Sequence, residues 1–106
     1  MQMMERFMVG HEIQIRGMNF CRVAVSNLRA GDNVSFQPET GNANDPNAIR
    51  ACHAGEFIGY VARDLAPKMK QFLNDGGEIV AQFSGEVYND VYNGFSNLKI
   101  IRSSQS

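Results

Sequence analysis

Carboxylate and amide side chains are concentrated in one segment, from Glu39 to Asn47, with the sequence ETGNANDPN. Its three Asn and one Asp, together with Gly and Pro, are typical of a loop whose side chains hydrogen-bond their own backbone. Glu39 and Asp45 could bind a divalent cation weakly, although their spacing does not match an EF-hand loop. Asp-Pro-Asn is also a good turn sequence by itself. The segment therefore predicts either a surface turn or a small polar binding site.

The other side chains with a potential for catalysis or metal binding are isolated in the sequence. His11 and His53 have no second His or Cys at ligand spacing, and Cys21 and Cys52 form neither a CxxC motif nor a metal-ligand pair. A dyad of Cys21 with His53 has no local support. The sequence contains no P-loop and no GxGxxG motif. We therefore expect a binding module that is not an enzyme and has no cofactor or metal.

Length and composition are those of one small folded domain. The chain has 106 residues, of which 43% are hydrophobic and 20% are charged, and this length suits a single domain over 1–106. The formal net charge is −1, whereas proteins that hold long duplex DNA without sequence preference usually carry a basic surplus. Any nucleic acid bound by this chain should therefore contact it through a few nucleotides.

Membrane-directing features are not found in the sequence. Residues 1–9 include Glu5 and Arg6 and lack the long apolar run of a signal peptide. No stretch approaches the roughly 20 apolar residues that a membrane-spanning helix needs. We expect a cytoplasmic protein with no membrane partner and with reduced cysteines.

Alternating apolar positions predict about six strands and one helix. Asp64 is a good N-cap for the helix, Pro67 suits its first turn, and Gly76 followed by Gly77 ends it. One face of the helix is apolar and must pack against a sheet. This stripe consists of Leu65, Met69, Phe72 and Leu73. The predicted strands span 7–16, 33–38, 48–54, 57–61, 78–87 and 95–102.

The order of these elements predicts a mostly β protein with one α-helix between strands 4 and 5. We expect a small, partly open barrel of the OB-like or SH3-like kind, with a core over about 7–102 and a frayed tail over 103–106. Gly59, inside the fourth strand, suggests a bulge or a close backbone approach. Four phenylalanines are expected in the core: Phe36, Phe57, Phe72 and Phe83. Fold alone does not establish function.

Three segments together resemble the HIRAN domain family. Residues 39–49 resemble its motif, in which an acidic residue is followed by Asn and then by Asp-x-Asn-Ala-Ile. Residues 55–61 resemble the following hairpin with its Ile-Gly-Tyr step, and residues 63–66 match the start of its helix. Gly17, with an aromatic shortly after it, matches more loosely. The resemblance covers about residues 7–100 and implies an OB-like fold. From the characterised eukaryotic members, it also implies capture of the 3′ end of single-stranded DNA.

The resemblance implies a DNA-end site built from eight residues. Ionised Asp45 would accept a hydrogen bond from a 3′-hydroxyl and repel a 3′-phosphate. Asn42 offers a donor and an acceptor to the terminal sugar or base, and Arg63 would clamp a backbone phosphate. The other candidates are Phe20 and Phe95, on which terminal bases would stack, Tyr60 at the border of the pocket, and Asn19 and Asn44 within the matched segments.

Two positions depart from the DNA-binding members of the family. Those members have an aromatic immediately before the Asp, where this chain has Asn44, and paired aromatics after the upstream glycine, where this chain has only Phe20. The leading hypothesis is a non-enzymatic module for a single-stranded 3′-hydroxyl end in DNA repair or processing, with a helicase or nuclease as a possible partner. The alternative is a protein-interaction or regulatory domain that keeps the fold but lacks the DNA-end pocket.

Overall fold

The computed structural model describes residues 7–90 and 93–105. The strands within these ranges are β1 (Glu12–Arg16), β2 (Asn33–Pro38), β3 (Ile49–His53), β4 (Glu56–Val61), β5 (Gly77–Gln82), β6 (Tyr88–Asn89) and β7 (Gly94–Gln105). The helices are α1 (Arg22–Ser26) and α2 (Ala66–Asn74), and a 3-10 turn at Met18–Phe20 precedes α1.

Six of the strands close into an antiparallel barrel in the order β1-β4-β3-β2-β5-β7. β1 closes the barrel because it pairs on both sides: Ile15 lies opposite Val61 of β4 and opposite Ser96 of β7. β6 adds two residues to the other side of β7. The predicted mostly β barrel, with its main helix between β4 and β5, is confirmed. Closure by β1 replaces the partly open form that we expected.

The barrel interior is filled by the alternating apolar positions that the sequence predicts. In β1, Ile13 and Ile15 are fully buried, and in α2 Met69 and Phe72 are fully buried as well. α2 packs against β5 and β3. The ring of Phe72 lies 5.0 Å from the ring of Phe7 between centroids. This aromatic contact joins the segment before β1 to the helix.

Gly59 allows β1 and β4 to approach closely, as its position in a strand predicts. A Cβ atom there would lie 2.8 Å from the backbone oxygen of Arg16 and 3.3 Å from Cγ of Met18. The pairing of β3 with β4 also shifts register between Ala51 and Cys52, and Ala51 is the partner of Gly59. A bulge and a close approach therefore occur at the same point. The absence of a side chain at Gly59 therefore allows the last residue of β1 to lie close to β4.

The N-cap position of α2 is Leu65, one residue after the predicted Asp64. No side chain caps this helix, although Pro67 lies in its first turn as expected. The carbonyl oxygen of Ala62 accepts hydrogen bonds from the backbone N–H groups of Leu65 and Ala66, each at 3.0 Å. This turn satisfies donors that a capping side chain would otherwise satisfy, so the helix begins without the Asp.

The C-terminal residues form a strand where we expected a frayed tail. β7 continues to Gln105, with Ser103 opposite Ile79 and Gln105 opposite Gly77. Ser106 lies outside the described residues. Ladder hydrogen bonds use backbone groups that every residue except proline carries. A polar end such as Ser-Ser-Gln can therefore pair without showing any apolar alternation.

Three other predictions, on the elements of two segments and on one buried side chain, differ from the structure. The segment 18–27, which lies between the first two predicted strands and outside the one predicted helix, contains the 3-10 turn and α1. The strand predicted to reach residue 87 ends at Gln82, and the chain turns at Gly85, where φ is +100°. Phe57 was expected in the core but is only half-buried, because it lies on the outer face of β4 with the Arg50 guanidinium 4.8 Å from its ring centroid.

Candidate functional site

A cavity of about 430 Å³ lies where the 39–47 loop, the turn after β1 and the end of β4 meet. Three small or apolar residues with buried side chains contribute to its wall: Ala48, Val61 and Ala62. The rest of the lining is mainly polar or charged, with one exposed aromatic ring. The cavity is therefore suited to a ligand with both a polar and a flat apolar part.

Six of the eight predicted site residues line this cavity: Phe20, Asn42, Asn44, Asp45, Tyr60 and Arg63. The other two, Asn19 and Phe95, are not among its lining residues. The side-chain oxygen of Asn19 accepts a hydrogen bond from the backbone N–H of Gly94 at 2.9 Å. Phe95 is half-buried, 5.5 Å from the Tyr88 ring between centroids. Asn19 thus contacts the residue after Asn93, and Phe95 lies beneath the Arg16 guanidinium, whose carbon is 5.1 Å from its ring centroid.

Asn42 organises the polar loop from within. Its side-chain oxygen accepts hydrogen bonds from the backbone N–H groups of Asn44 and Asp45, at 3.1 and 3.0 Å. Its side-chain nitrogen donates to a carboxylate oxygen of Glu39 at 2.8 Å. The Tyr60 hydroxyl donates to the same carboxylate, 3.0 Å from each oxygen. Asn42 and Tyr60 thus connect the loop to β4 through the Glu39 carboxylate.

Asp45 is the carboxylate that faces the cavity. One of its oxygens accepts a hydrogen bond from the backbone N–H of Asn47 at 3.2 Å, so Asp45 also forms the turn that the sequence allows. Its other oxygen lies 3.5 Å from Nε of Arg63. The Asp45 side chain is 23% exposed, and the Arg63 side chain is 80% exposed. Since a carboxylate offers about four lone-pair sites, Asp45 retains the capacity to accept a further hydrogen bond.

Phe20 presents its ring to solvent at the edge of the cavity. It is 80% exposed, whereas Met18, two residues earlier in the same 3-10 turn, is 1% exposed. The turn starts at Gly17, whose φ of +74° lies in the left-handed region that favours glycine. A ring this exposed contributes little to the core, but it offers a flat face on which a base can stack.

Arg16 and Asn93 also line the cavity, and sequence reasoning missed both of them. Arg16 has the pattern of an ordinary outward-facing residue of a strand, although it directly precedes Gly17, which matches the family loosely. Asn93 is the residue before β7, which begins at Gly94. Its backbone N–H donates to the Asp90 side chain at 2.6 Å. Arg16 and the start of β7 are brought together because β1 pairs with β7, with Arg16 opposite Phe95.

The residues that resemble the HIRAN motif thus meet around one cavity. The family model of the HIRAN domain matches residues 9–100 of the chain. The chain belongs to the HIRAN domain family. HIRAN domains are known as nucleic-acid-binding modules and form a family of binding domains. The match includes the polar loop, the hairpin and the helix start, so it covers the whole set of cavity-lining residues.

A solved structure shares the fold of this HIRAN domain. The crystal structure of a protein from Lactobacillus plantarum matches it with a TM-score of 0.67, over 84% of this chain and 89% of that chain. The sequence identity is 20%, so the likeness shows the fold alone. No match was found among curated proteins.

The ionisable groups of the HIRAN site differ in their surroundings. Burial raises the pKa of the Tyr60 phenol, and its hydrogen bond to the Glu39 carboxylate raises it further. Burial also raises the pKa of the Cys21 thiol, and the positive charge of Arg50 partly offsets this. A raised thiol pKa keeps the reactive thiolate scarce near neutral pH. Cys21 therefore has the character of a neutral side chain beside the site.

Residues 7–90 and 93–105 contain neither a candidate cluster of metal ligands nor a candidate membrane-spanning helix. In these ranges no three His, Cys, Asp or Glu side chains come together as metal ligands. Glu39 and Asp45, considered above as a weak cation pair, accept hydrogen bonds from Asn42 and from the backbone of Asn47. No helix in the same ranges has the length and apolar character needed to cross a membrane.

Proposed function

We propose that this HIRAN domain binds the 3′-hydroxyl end of single-stranded DNA without catalysing a reaction on it. The observation that carries the proposal is the convergence of Asp45, Arg63 and the exposed Phe20 on one cavity. These three side chains match the three parts of a strand end. A carboxylate accepts from the hydroxyl, a guanidinium pairs with a phosphate, and a ring stacks on a base.

The carboxylate of Asp45 supplies the preference for a hydroxyl end. It is partly buried and acceptor-only when ionised, so a terminal hydroxyl gains a hydrogen bond there. A terminal phosphate brings negative charge to the same point and is repelled. Arg63 lies 3.5 Å away and is mostly exposed, so its guanidinium can reach a phosphate further along the strand.

The size and charge of the domain favour a short contact. A cavity of about 430 Å³ can admit only a small part of a strand. The chain carries a net charge of −1, which argues against a long electrostatic footprint on the backbone. We therefore expect binding to depend on the chemistry of the strand end and only weakly on salt.

Fluorescence anisotropy tests this proposal with a labelled strand of about ten nucleotides, ending either in a 3′-hydroxyl or in a 3′-phosphate. The variant Asp45→Asn keeps an acceptor for the Asn47 turn but removes the charge. Asp64→Asn is the matched control, because Asp64 is exposed and does not line the cavity. We expect tighter binding of the hydroxyl end, and loss of that preference in Asp45→Asn alone. Equal binding of both ends by the unchanged protein would contradict the proposal.

A protein-interaction or regulatory domain is the alternative, and one observation favours it. Both oxygens of Asp45 already face partners within the protein, the Asn47 N–H and Arg63. If Asp45 serves only to make those two contacts, it does not bind a strand end. The domain then keeps the HIRAN fold but lacks a DNA-end pocket. Negligible binding of both strands would favour this alternative.

The cellular setting of the proposal is DNA repair or processing in the cytoplasm. A domain that only captures a strand end needs a helicase or nuclease to act on that end, and such a protein is the partner we propose. Cys21 and Cys52 are both free thiols, as expected for a reducing compartment. Affinity capture with and without a 3′-hydroxyl strand tests whether a partner joins through the DNA.

A further inference from the structure

We propose that Arg16 is a second phosphate-binding residue of this site, so that the preferred ligand is a strand end whose last two phosphates are both contacted. The inference rests on the proposed function and adds to it the length of the recognised end. Arg63 pairs with one phosphate and Arg16 with the next. Neither the motif nor its resemblance to the family points to Arg16.

Arg16 is held in place by three contacts. One guanidinium nitrogen donates to a carboxylate oxygen of Asp90, and the other donates to the side-chain oxygen of Gln14 at 3.0 Å. The guanidinium carbon lies 5.1 Å from the ring centroid of Phe95. A guanidinium fixed in this way loses little freedom when it binds an anion. Arg63 differs from it, because its side chain is 80% exposed and has the one carboxylate beside it.

The position of Arg16 follows from the closure of the barrel. It is the last residue of β1, opposite Tyr60 of β4 and opposite Phe95 of β7. Two neighbouring strands therefore fix its backbone, and Gly59 packs against its carbonyl oxygen. The side chain lines the cavity and is 32% exposed. It is accessible to a ligand but not free to move away.

The charges around the cavity fit a second phosphate. Among the residues that line it, Arg16 and Arg63 are positive and Asp45 is negative. The lining side chains alone thus carry one net positive charge, and Asp90, which lies outside the lining, is paired with Arg16. A guanidinium has five N–H donors, and the bonds to Gln14 and Asp90 use two of them. The remaining donors suit phosphate oxygens, which guanidinium groups bind in a bidentate manner.

The test compares Arg16→Gln with Arg50→Gln. Arg50 is a matched control, because it also lies opposite Tyr60 and above a phenylalanine ring, 4.8 Å from the centroid of Phe57, but it does not line the cavity. Binding of the 3′-hydroxyl strand is measured over a range of salt concentrations. We expect Arg16→Gln to weaken binding about tenfold, as the loss of one charge-assisted contact does. The slope of log affinity against log salt should fall by about 0.7, the value for one phosphate on a single strand. Arg50→Gln should change neither the affinity for the strand nor the salt slope.

A second variant separates phosphate binding from a structural role of the Arg16–Asp90 pair. Asp90→Asn keeps a side-chain oxygen that can accept the hydrogen bond from Arg16 but removes the negative charge. If Arg16 binds phosphate, Asp90→Asn keeps the wild-type salt slope and binds at least as tightly. Equal losses in Arg16→Gln and Asp90→Asn, with unchanged slopes, would overturn the inference.

The outcomes also distinguish the two proposals. If the hydroxyl preference persists and depends on Asp45, but Arg16→Gln binds like wild type, then the proposed function holds and the role of Arg16 is wrong. If the unchanged protein binds neither strand, both proposals are wrong.

Discussion

The hydroxyl of Tyr60 lies 3.0 Å from both carboxylate oxygens of Glu39. This contact connects β4 to the first residue of the polar loop. Because Asn42 donates to the same carboxylate, the loop has a continuous set of hydrogen bonds from β4 to the backbone before Asp45. The position of Asp45 in the cavity therefore depends on a tyrosine that follows it by fifteen residues.

Removing the Tyr60 hydroxyl should destabilise the protein and change its response to alkaline pH. We expect Tyr60→Phe to lower the free energy of unfolding by about 1 kcal/mol at neutral pH, the usual net value of one hydrogen bond. The folded state raises the pKa of Tyr60 above its ordinary value of 10.0. The stabilisation by the neutral phenol is therefore complete below pH 10 and is lost as pH rises through the raised pKa. Urea unfolding on both sides of pH 10 measures both effects.

Tyr88→Phe is the control for this experiment. Tyr88 is 43% exposed and its pKa is raised mainly by the charge of Glu86, which solvent screens at the surface. We expect little change in the free energy of unfolding of Tyr88→Phe on either side of pH 10. An alkaline loss of stability that is as steep in Tyr60→Phe as in the unchanged protein would show that Tyr60 is not its source.

A side chain at Gly59 should separate the strands that carry the site. The Cβ of Gly59→Ala would lie 2.8 Å from the Arg16 carbonyl oxygen, which belongs to the backbone and cannot turn aside. Overpacking of this kind costs about 1–3 kcal/mol, and we expect that loss in urea unfolding. Gly55→Asn is the control, since nothing lies within 4 Å of a Cβ there and Asn tolerates a positive φ. An equal loss of stability in both variants would show that the close approach of β1 and β4 at Gly59 is not the cause.

The sequence predicts the barrel well where one local pattern decides the structure. The alternation at Ile13 and Ile15 and the stripe that includes Met69 and Phe72 both correspond to fully buried residues. Closure by β1 was not predicted, because it depends on pairing between residues more than 80 positions apart, such as Ile13 and Leu98. The apolar alternation within one strand does not show which distant strand it pairs with, or in which register.

The same distinction applies to the candidate site. Asp45 and Asn42 could be found because they lie in one short motif. Arg16 could not, because the alternation of β1 identifies it only as an outward-facing residue, and its position beside β7 depends on strand pairing. Phe20 and Phe95 look alike in the sequence, but they differ in the structure. Phe20 ends a 3-10 turn and is exposed, whereas Phe95 is half-buried beneath the Arg16 guanidinium.

Replacing Phe20 should separate binding from stability. The ring is 80% exposed, so we expect Phe20→Ala to change the free energy of unfolding by less than about 0.5 kcal/mol. If a terminal base stacks on the ring, the same variant should weaken DNA binding by about 1–3 kcal/mol. Val23→Ala is the control, because Val23 is 77% exposed in the adjacent helix α1 and does not line the cavity. Unchanged DNA affinity in Phe20→Ala would exclude this ring as a stacking surface.

Adding an aromatic ring at Asn44 should strengthen binding. Asn44 lines the cavity immediately before Asp45, where the DNA-binding members of the family carry an aromatic. The substitution Asn44→Tyr is compatible with the backbone, since Ala54 is the one non-glycine residue with a positive φ in the described part of the chain. The hydrogen bond from the residue 44 N–H to Asn42 is also kept. A second ring in the cavity would offer a further face for a base, so we expect a gain of about 1–3 kcal/mol in anisotropy titrations. Asn44→Ser, which removes the amide without adding a ring, should bind like the unchanged protein. A gain that is the same for 3′-hydroxyl and 3′-phosphate strands would mean that the new ring stacks on bases without help from Asp45.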